Sequence, residues 1–231
     1  MCRKIFFIGF LFITVLCSCN ADAQKVNLSA DEFEAALAKG NVQLLDVRTA
    51  AEYESGHLSN ALQANWNNTA EFEKRTQSLS KSKPVYVYCL GGGRSSAAAD
   101  WLSKQGYNAF NLVGGITKWK QAGKAVEQNV VVAQLTREDY NKLIATDKTV
   151  LVDFGAKWCP PCRKMDPIID SLVKNNPQLF ELVKIDGGTQ DGLVQEMMIE
   201  EFPTFIVYKQ GKQSWRANGL QTYDALLKQL Q

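Results

Sequence analysis

Strand and helix patterns alternate along this chain in two successive sets, and this double alternation constrains its fold more than any other feature. In the first set, apolar runs rich in β-branched and aromatic residues predict two strands, Val42–Asp46 and Pro84–Cys89. Helical patterns flank these strands. The predicted helices begin near Ser29, Thr49, Thr69, Ser95 and Gly114. Such alternation predicts an α/β domain with a largely parallel sheet.

The second set of patterns predicts another α/β unit. Its predicted strands are Val130–Val132, Val150–Phe154, Leu182–Ile185, Phe205–Tyr208 and Lys212–Arg216. Its predicted helices are Thr136–Ile144, Cys159 to about Val173, and Tyr223–Leu230. A chain of 231 residues accommodates two domains of about 100 residues each. We therefore predict domains over residues 26–127 and 130–231, with a short seam at Gly123–Asn129.

Composition narrows the chemistry to sulfur. The 26 basic residues nearly balance the 24 acidic ones, so the chain lacks the basic excess expected of a nucleic-acid-binding protein. A single histidine argues against a His-rich metal site or a Ser-His-Asp triad. We predict neither a metal ion nor a cofactor.

The N-terminus has the pattern of a secretory signal over residues 1–23. Arg3 and Lys4 precede an uncharged apolar run, Ile5–Leu16, which is shorter than an ordinary membrane span. An uncleaved anchor is therefore disfavoured. The segment predicts export, and hence a periplasmic protein of bacterial type.

Two cleavage sites compete in this segment. Leu16–Cys19 resembles a bacterial lipobox, in which Cys19 is lipidated and becomes the mature N-terminus. Ala21–Ala23 is instead an A-x-A site that frees a soluble protein at Gln24. We favour the lipoprotein, in which the lipid provides the only membrane contact.

The number of cysteines that remain after signal cleavage suggests a reactive thiol. Cys2 and Cys17 leave with the signal under either cleavage, and a lipidated Cys19 is a thioether. The remaining thiols are Cys89, Cys159 and Cys162. An odd thiol in an exported chain suggests a reactive group or an intermolecular partner, whereas the alternative is a buried, inert Cys89.

The first chemical motif is Cys89 with the loop that follows it. Gly91, Gly92 and Gly93 permit a tight turn whose backbone N–H groups can surround a sulfur anion. Arg94 adds a cation, and Ser95 begins a helix whose dipole favours the thiolate. The loop therefore predicts an activated cysteine, although glycine-rich turns also follow ordinary strands.

Four motifs in order resemble a single rhodanese domain over about Val26 to Glu127. They are Leu44–Arg48, Glu52–Ala61, the Cys89 loop and Leu112–Trp119. The resemblance implies a parallel sheet with helices on both faces. It also implies that Cys89 carries sulfane sulfur as a persulfide, taken from a donor such as thiosulfate.

Details of the same motifs refine this resemblance. Phosphatase loops of similar fold use C-x5-R, whereas Ser95 stands at that place here and Arg94 comes one residue earlier. The shorter loop suits sulfur better than phosphate. Asp46 and His57 belong to the family's structural motifs, and we interpret them as hydrogen-bonding supports without a catalytic role.

The second chemical motif is Trp158–Cys162, in which two cysteines three residues apart begin a helix. They lie on one face of that helix, close enough for a disulfide. Cys159, predicted to be the more exposed, is the expected attacking thiolate, and Cys162 resolves the mixed disulfide. A zinc site needs further ligands, haem attachment needs a histidine after Cys162, and a structural bridge closing so small a loop stabilises little.

Val152–Cys162 and Glu201–Phe205 resemble a thioredoxin, and the resemblance covers about Val130 to Gln231. It implies a mixed sheet flanked by helices. It also implies that Pro203 is cis and, with Trp158, shapes the groove in which a substrate chain binds. The alternative is an ordinary proline at a strand start.

Asp153 matches the buried aspartate of that family. In an apolar strand its pKa should rise, so that it accepts the proton of Cys162 through water. The alternative is a solvated carboxylate at a strand end.

Three positions depart from the thioredoxin pattern. Gly155 stands where many members have tryptophan, which opens the surface beside the dithiol, and Pro160 replaces the usual glycine. The lysine that often accompanies the buried aspartate is missing, because Leu182 occupies its place and Lys184 comes two residues later. We therefore expect a strongly perturbed Asp153.

Taken together, the motifs predict an exported bifunctional sulfurtransferase and thiol-disulfide oxidoreductase. Its expected partners are a thiosulfate-like donor, client protein thiols or disulfides, and an external electron donor for the dithiol. The alternative function is a thiol-disulfide reductase whose first domain is a non-catalytic docking module.

Overall fold

A computed structural model describes residues 26–128 and 132–231 of the chain. The predicted signal segment, including Cys19, lies outside the described residues. So do the first two residues of the predicted strand Val130–Val132, and Val132 itself lies in no strand.

Ten helices and strands build the part of the first domain that the structure describes. In chain order they are β1 Asn27–Leu28, α1 Ala30–Ala38, β2 Gln43–Asp46, α2 Ala50–Glu54, β3 Leu62–Gln63, α3 Thr69–Thr76, β4 Val85–Tyr88, α4 Gly93–Lys104, β5 Ala109–Leu112 and α5 Gly115–Gln121. The five strands pair in the order β1-β5-β4-β2-β3, and every pairing is parallel.

Two helix starts in this domain are fixed by reciprocal side-chain caps. The Ser29 hydroxyl accepts the N–H of Glu32, whose carboxylate accepts the N–H of Ser29 at 2.8 Å. Thr49 and Glu52 form the same box at the start of α2. Each box satisfies two N–H groups that the helix leaves unpaired.

Side chains alternate along each strand of the first sheet, so each strand contributes to both faces of the sheet. Both faces are buried. Tyr86 and Tyr88 of β4 point into a cluster that contains Phe33 of α1 and Ile116 of α5. Cys89, which follows β4, lies in the cluster on the other face, beneath α3 and α4. Helices thus cover both faces, as the sequence predicts.

The second domain contains four strands and four helices among its described residues. They are α6 Arg137–Ile144, β6 Thr149–Gly155, α7 Pro160–Asn175, β7 Phe180–Asp186, α8 Asp191–Glu196, β8 Thr204–Lys209, β9 Lys212–Asn218 and α9 Tyr223–Leu230. The strand order is β7-β6-β8-β9. Strands β6 and β7 are parallel, whereas β8 is antiparallel to both β6 and β9, so the sheet is mixed, as predicted.

Four elements were not predicted from the sequence: β1, β3, β5 and α8. Strand β3 has only two residues, and β5 contains the polar Asn111 within its short apolar run. Within the predicted seam, Glu127 pairs with His57 as an antiparallel bridge, which ties Glu127 to the loop that follows α2. In the described part of the chain, no helix is long and apolar enough to cross a membrane.

Candidate functional site

The Cys89 thiol lies in a cradle of hydrogen-bond donors at the carboxyl end of β4. Its Sγ accepts the N–H of Gly92 at 3.1 Å and the hydroxyl of Ser95 at 3.3 Å. The residue is only 1% exposed. The structure therefore brings together the cysteine and the loop that the sequence singles out.

Opposing effects set the acidity of this thiol. Burial raises the pKa of Cys89, but hydrogen bonds from the Ser95 hydroxyl and from the backbone of Ser95, Gly92 and Gly91 favour the thiolate. The balance lowers the pKa below that of an ordinary thiol. The loop thus favours the thiolate form of Cys89.

Glycine is required where this loop meets the start of α5. Gly92 has a φ of +95°, and a Cβ there would lie 2.8 Å from the backbone nitrogen of Gly114. A Cβ on Gly115 would lie 2.3 Å from the carbonyl oxygen of Cys89. The absence of a side chain at Gly92 and at Gly115 thus lets the Cys89 loop and the start of α5 approach each other closely, and this approach fixes the cradle.

Arg94 reaches Glu52 with both arms of its guanidinium. The N–O distances are 2.8 and 2.6 Å. The hydrogen bond from Arg94 is the main cause that lowers the pKa of Glu52 to about 2. The predicted cation is therefore held by a carboxylate at the start of α2, while it remains electrostatically coupled to Cys89.

Asn111 is a site residue that the sequence analysis missed. Its side-chain oxygen lies 2.6 Å from the Ser95 hydroxyl, and its amide donates to Asn27 at 2.8 Å. The hydroxyl can donate to Asn111 or to Cys89 but not to both at once. The indication available in the sequence was a polar asparagine within a short run of otherwise apolar residues.

Asp46 and His57 have the supporting contacts expected of them. Arg48 donates to Asp46 from Nε and Nη2, and Nη2 also reaches the carbonyl of Gly56. The His57 ring stacks on Tyr53 with centroids 3.8 Å apart. These contacts fasten the loops around α2 to the sheet.

In the second domain, Cys159 and Cys162 form a disulfide, with Cα atoms 5.3 Å apart. Cys159 is the N-cap of α7, and its sulfur accepts the N–H of Cys162 at 3.2 Å. The helix N-terminus therefore stabilises a thiolate at Cys159.

The prediction that Cys159 is the more exposed cysteine was wrong. Cys159 is 0% exposed, whereas Cys162 is partly exposed. The reason lies in the other domain, since Cys159 and Trp158 join a hydrophobic cluster with Tyr53 and Leu58. Sequence patterns within one domain carry no information about a surface that covers it.

Trp158 forms the centre of this contact between the domains. The N–H of Gln63 in β3 donates to the Trp158 carbonyl at 2.8 Å, and the Arg75 guanidinium lies 4.9 Å from its ring centroid. Lys74 pairs with Glu201 across the same boundary. Strand β3 and helix α3 thus cover the loop that carries the dithiol.

Pro203, the other residue predicted to shape the groove, follows a phenylalanine that lies beside this loop. The Phe202–Pro203 peptide bond is cis, as the resemblance implies. The ring of Phe202 packs edge-on against Trp158, with centroids 5.9 Å apart. The cis peptide bond therefore follows a residue, Phe202, that packs on the tryptophan next to Cys159.

Asp153 lies behind the dithiol and is 9% exposed. Burial is the main cause that raises its pKa to about 6, and Lys184 partly opposes the shift. It lines the same cavity as Cys162, the cavity having a volume of about 290 Å³. This arrangement suits a base that takes the proton of Cys162.

The expectation that Asp153 lacks a lysine neighbour was also wrong. Lys184 stands directly opposite Asp153 in the β6–β7 register, and its charge lowers the pKa of Asp153. Counting back from Asp186 along the sequence did not reveal this pairing, because the register decides which residues face each other.

Cys89 and the dithiol remain separate in this arrangement. The Cys89 sulfur is held by its own loop, and the Cys159 sulfur is held by the disulfide and by α7. Their side chains belong to different clusters, on opposite faces of the first sheet.

Comparison with known proteins supports both domains. The family model described as Rhodanese-like domain matches residues 29–122, and the model described as Thioredoxin matches residues 131–231. A thioredoxin-like protein of Synechocystis sp. is 37% identical over 89 residues, which cover 38% of this chain and 85% of the relative. A thioredoxin of Chlamydia trachomatis is 31% identical over 98 residues, covering 42% and 94% respectively.

Other matches cover parts of longer chains or single domains. A chloroplastic thioredoxin Y of Oryza sativa is 36% identical, and the chain spans about half of its length. A solved rhodanese-related protein of Thermoplasma volcanium is 27% identical, with a TM-score of 0.41, covering 45% of this chain and 98% of that one.

The first domain has a parallel five-stranded sheet and a cysteine cradle. The second has a mixed sheet, a dithiol at a helix N-terminus and a cis proline. Together these features define a two-domain thiol protein. The chain is a rhodanese-like domain followed by a thioredoxin domain, and through the second it belongs to the thioredoxin family. Its dithiol has a thioredoxin-like redox function.

Proposed function

We propose that the chain is an exported enzyme that couples rhodanese-type sulfur transfer to thiol-disulfide exchange. The observation that carries the proposal is the donor cradle around Cys89, which lowers the pKa of that thiol despite burial. A domain that served only for docking would have no need of an activated thiol. The glycine-built loop favours an anionic adduct at the same position.

The first step loads sulfur onto Cys89. The thiolate attacks the sulfane sulfur of a thiosulfate-like donor, the sulfur–sulfur bond of the donor breaks, and sulfite leaves with its electron pair. Cys89 then carries a persulfide anion. The N–H groups of Gly91 and Gly92 and the hydroxyl of Ser95 would stabilise its charge.

The second step transfers this sulfur to the dithiol. The Cys159 thiolate attacks the outer sulfur, Cys89 leaves as a thiolate, and Cys159 becomes the persulfide. Cys162, deprotonated by Asp153, then attacks the inner sulfur of Cys159 and releases hydrosulfide. The two electrons that reduce the sulfur come from the dithiol, which ends as the disulfide.

The sulfurs of Cys89 and Cys159 are both buried in this arrangement. Transfer between them therefore requires the dithiol loop to separate from β3 and α3. The short seam between the domains keeps their effective concentration high after such a separation. Client protein disulfides would react at the same freed surface. An external donor must then recharge the dithiol.

Thiosulfate loading followed by intact-mass measurement tests the proposal. We expect a gain of one sulfur atom that disappears in Cys89→Ser. Ser96→Ala, which changes a serine one residue beyond the cradle, should still load. The absence of a mass gain in the parent chain with any sulfane-sulfur donor would overturn sulfur transfer.

One observation favours the second candidate, a reductase with a docking module. The first domain already lies on the dithiol loop, through Gln63, Arg75 and Tyr53. If the domain serves only this purpose, Cys89→Ser should leave client reduction intact and no sulfur should load.

Export and lipidation belong to the same proposal. The support is the sequence of residues 1–23 alone. Mass spectrometry of the mature N-terminus distinguishes an acylated Cys19 from a free Gln24, and a chain that keeps Met1 when produced in a secreting host would overturn export.

A further inference from the structure

Asn111 shares the Ser95 hydroxyl with the Cys89 sulfur. Side chains alternate along β5, so Asn111 lies on the same face of the sheet as Ala109, which packs in the cluster that contains Cys89. The Ser95 oxygen lies 2.6 Å from Asn111 Oδ1 and 3.3 Å from Cys89 Sγ. It also lies 3.2 Å from the carbonyl oxygen of Gly92. One hydroxyl hydrogen therefore has three acceptors within reach.

The charge on Cys89 decides which acceptor this hydrogen takes. A distance of 2.6 Å is that of a full hydrogen bond between two oxygens, whereas a neutral thiol is only a weak acceptor. While Cys89 is a neutral thiol, the hydroxyl therefore donates to Asn111. A sulfur anion is a stronger acceptor than an amide oxygen, so the hydroxyl turns to Cys89 when that residue is charged.

Asn27 fixes the direction of the Asn111 amide. Asn111 Nδ2 donates to Asn27 Oδ1 at 2.8 Å. Asn27 stands directly opposite Asn111 in the parallel pairing of β1 with β5. Because an amide nitrogen donates and does not accept, this bond leaves Oδ1 as the atom that faces Ser95. The short strand β1 thus contributes to the Cys89 site through the orientation of a neighbouring side chain.

We propose that Asn111 is a positioning residue, which holds the Ser95 hydroxyl away from the neutral Cys89 thiol and releases it when the sulfur becomes an anion. The release is a rotation about the Cβ–Oγ bond, and no proton leaves Ser95. The inference rests on the proposed function and deepens it, because the attacking thiolate and the resulting persulfide are both anions at this position. Asn111 thereby opposes ionisation of the resting thiol, since charging Cys89 breaks the bond between Ser95 and Asn111.

The charged groups around the sulfur stay in place during this rotation. Arg94 of α4 is electrostatically coupled to Cys89, and Glu52 of α2 and Asp46 of β2 are in turn coupled to Arg94. These groups act on the sulfur in the parent chain and in a chain altered at position 111 alike. A change in ionisation between the two chains therefore reports on the hydroxyl.

The test is the pH titration of Cys89 in chains that differ at position 111. The readout is thiolate absorbance in a chain whose Cys159 and Cys162 are serines, taken as the difference from the same chain with Cys89→Ser. Asn111→Leu keeps the branched shape of the side chain but removes the acceptor. It should lower the pKa of Cys89 and raise its acid dissociation constant about 2- to 12-fold, which is the effect of one neutral hydrogen bond.

A second background shows whether Asn111 acts through Ser95. A Ser95→Ala chain has no hydroxyl to hold, so Asn111→Leu should leave its titration unchanged. Asn108→Leu changes an exposed asparagine just before β5 and is the matched control, which should alter neither background. If leucine at position 111 disturbs folding, Asn111→Ala removes the same acceptor and carries the same prediction.

Two results would overturn the proposal. One is a pKa of Cys89 that stays unchanged or rises in Asn111→Leu, since a rise would mean that the amide donates to Ser95 and supports the anion. The other is an effect of Asn111→Leu that persists in the Ser95→Ala chain, because Asn111 would then act without the hydroxyl.

The outcomes also separate this inference from the proposed function, because the titration needs no sulfur donor. If Asn111→Leu titrates as expected but no sulfur loads on Cys89 from thiosulfate, sulfur transfer fails and the positioning role stands. If sulfur loads but the titration does not respond to position 111, the reverse holds.

Discussion

Ser95 controls the charge on Cys89 because its hydroxyl can donate to the sulfur at 3.3 Å inside a buried loop. Ser95→Ala removes this donor, so the pKa of Cys89 should rise. A hydrogen bond to a charged group contributes about 1.5–3 kcal/mol, so the thiolate fraction at neutral pH should fall by about 10- to 150-fold. Ultraviolet absorbance of the thiolate, in a chain whose Cys159 and Cys162 are serines, measures it as pH varies.

The matched control for this prediction is Ser96→Ala in the same turn of α4. It should leave the titration of Cys89 unchanged. If Ser95→Ala titrates like its parent, the hydroxyl is engaged with Asn111 alone, and the cradle consists of backbone groups.

Asp153 makes the free energy of unfolding depend on pH, since burial raises its pKa to about 6. Between about pH 4 and pH 6 the folded chain binds the proton more tightly than the unfolded chain, so stability falls as pH rises through this window. Asp153→Asn should abolish that loss. We expect an oxidised variant to be more stable than the parent by about 2–3 kcal/mol at pH 7 and similar near pH 4.

Urea unfolding at the two pH values checks this result. Asp170→Asn, an exposed aspartate on α7, is the control and should change neither value appreciably. A parent chain whose stability does not decline between pH 4 and 7 relative to Asp153→Asn would contradict the burial argument.

At the scale of elements, α3 and β3 form the cover of the dithiol loop. The Arg75 guanidinium stacks on Trp158, bonds to the Gln63 side chain and pairs with Glu71 at 2.9 Å. Arg75→Ala removes the stacking group and should loosen the cover. A cation over an aromatic ring contributes about 0.5–2 kcal/mol, which predicts a roughly 2- to 30-fold faster alkylation of reduced Cys159.

Differential alkylation with peptide mass analysis measures this change, and Cys162 serves as an internal reference. Lys81→Ala is the matched control, because Lys81 makes the same type of contact with Tyr107, away from the dithiol loop. Equal alkylation of Cys159 in Arg75→Ala and its parent would show that α3 does not protect the cysteine.

Elements with a local signature were predictable from sequence. Ser29 and Glu32 mark the start of α1 through their capping box, and the run Val150–Phe154 lies within strand β6. Strand β3 was not predictable, because two residues carry no periodicity and its pairing with β2 depends on the rest of the sheet. The same short strand makes the contact with Trp158.

At the scale of the whole molecule, the Cys89 loop and the dithiol were each predictable from sequence, but the packing of the first domain on the dithiol loop was not. The Cys89 loop and the dithiol are each contiguous motifs, so the sequence together with the family resemblance singles out their residues. The burial of Cys159 depends on Tyr53 and Leu58, about 100 positions earlier in the chain. The partnership of Asp153 with Lys184 likewise depends on strand register.

The central claim is that sulfur carried by Cys89 is reduced by the dithiol of the same chain. The most direct measurement is hydrosulfide release from the full-length chain, which is first reduced at Cys159 and Cys162, then freed of the reductant and only then loaded with thiosulfate. We predict one hydrosulfide per loaded chain, formed together with the Cys159–Cys162 disulfide, and none from Cys159→Ser under the same conditions. Release at the same rate from Cys159→Ser, or a dithiol that stays reduced while sulfur is lost, would contradict the account.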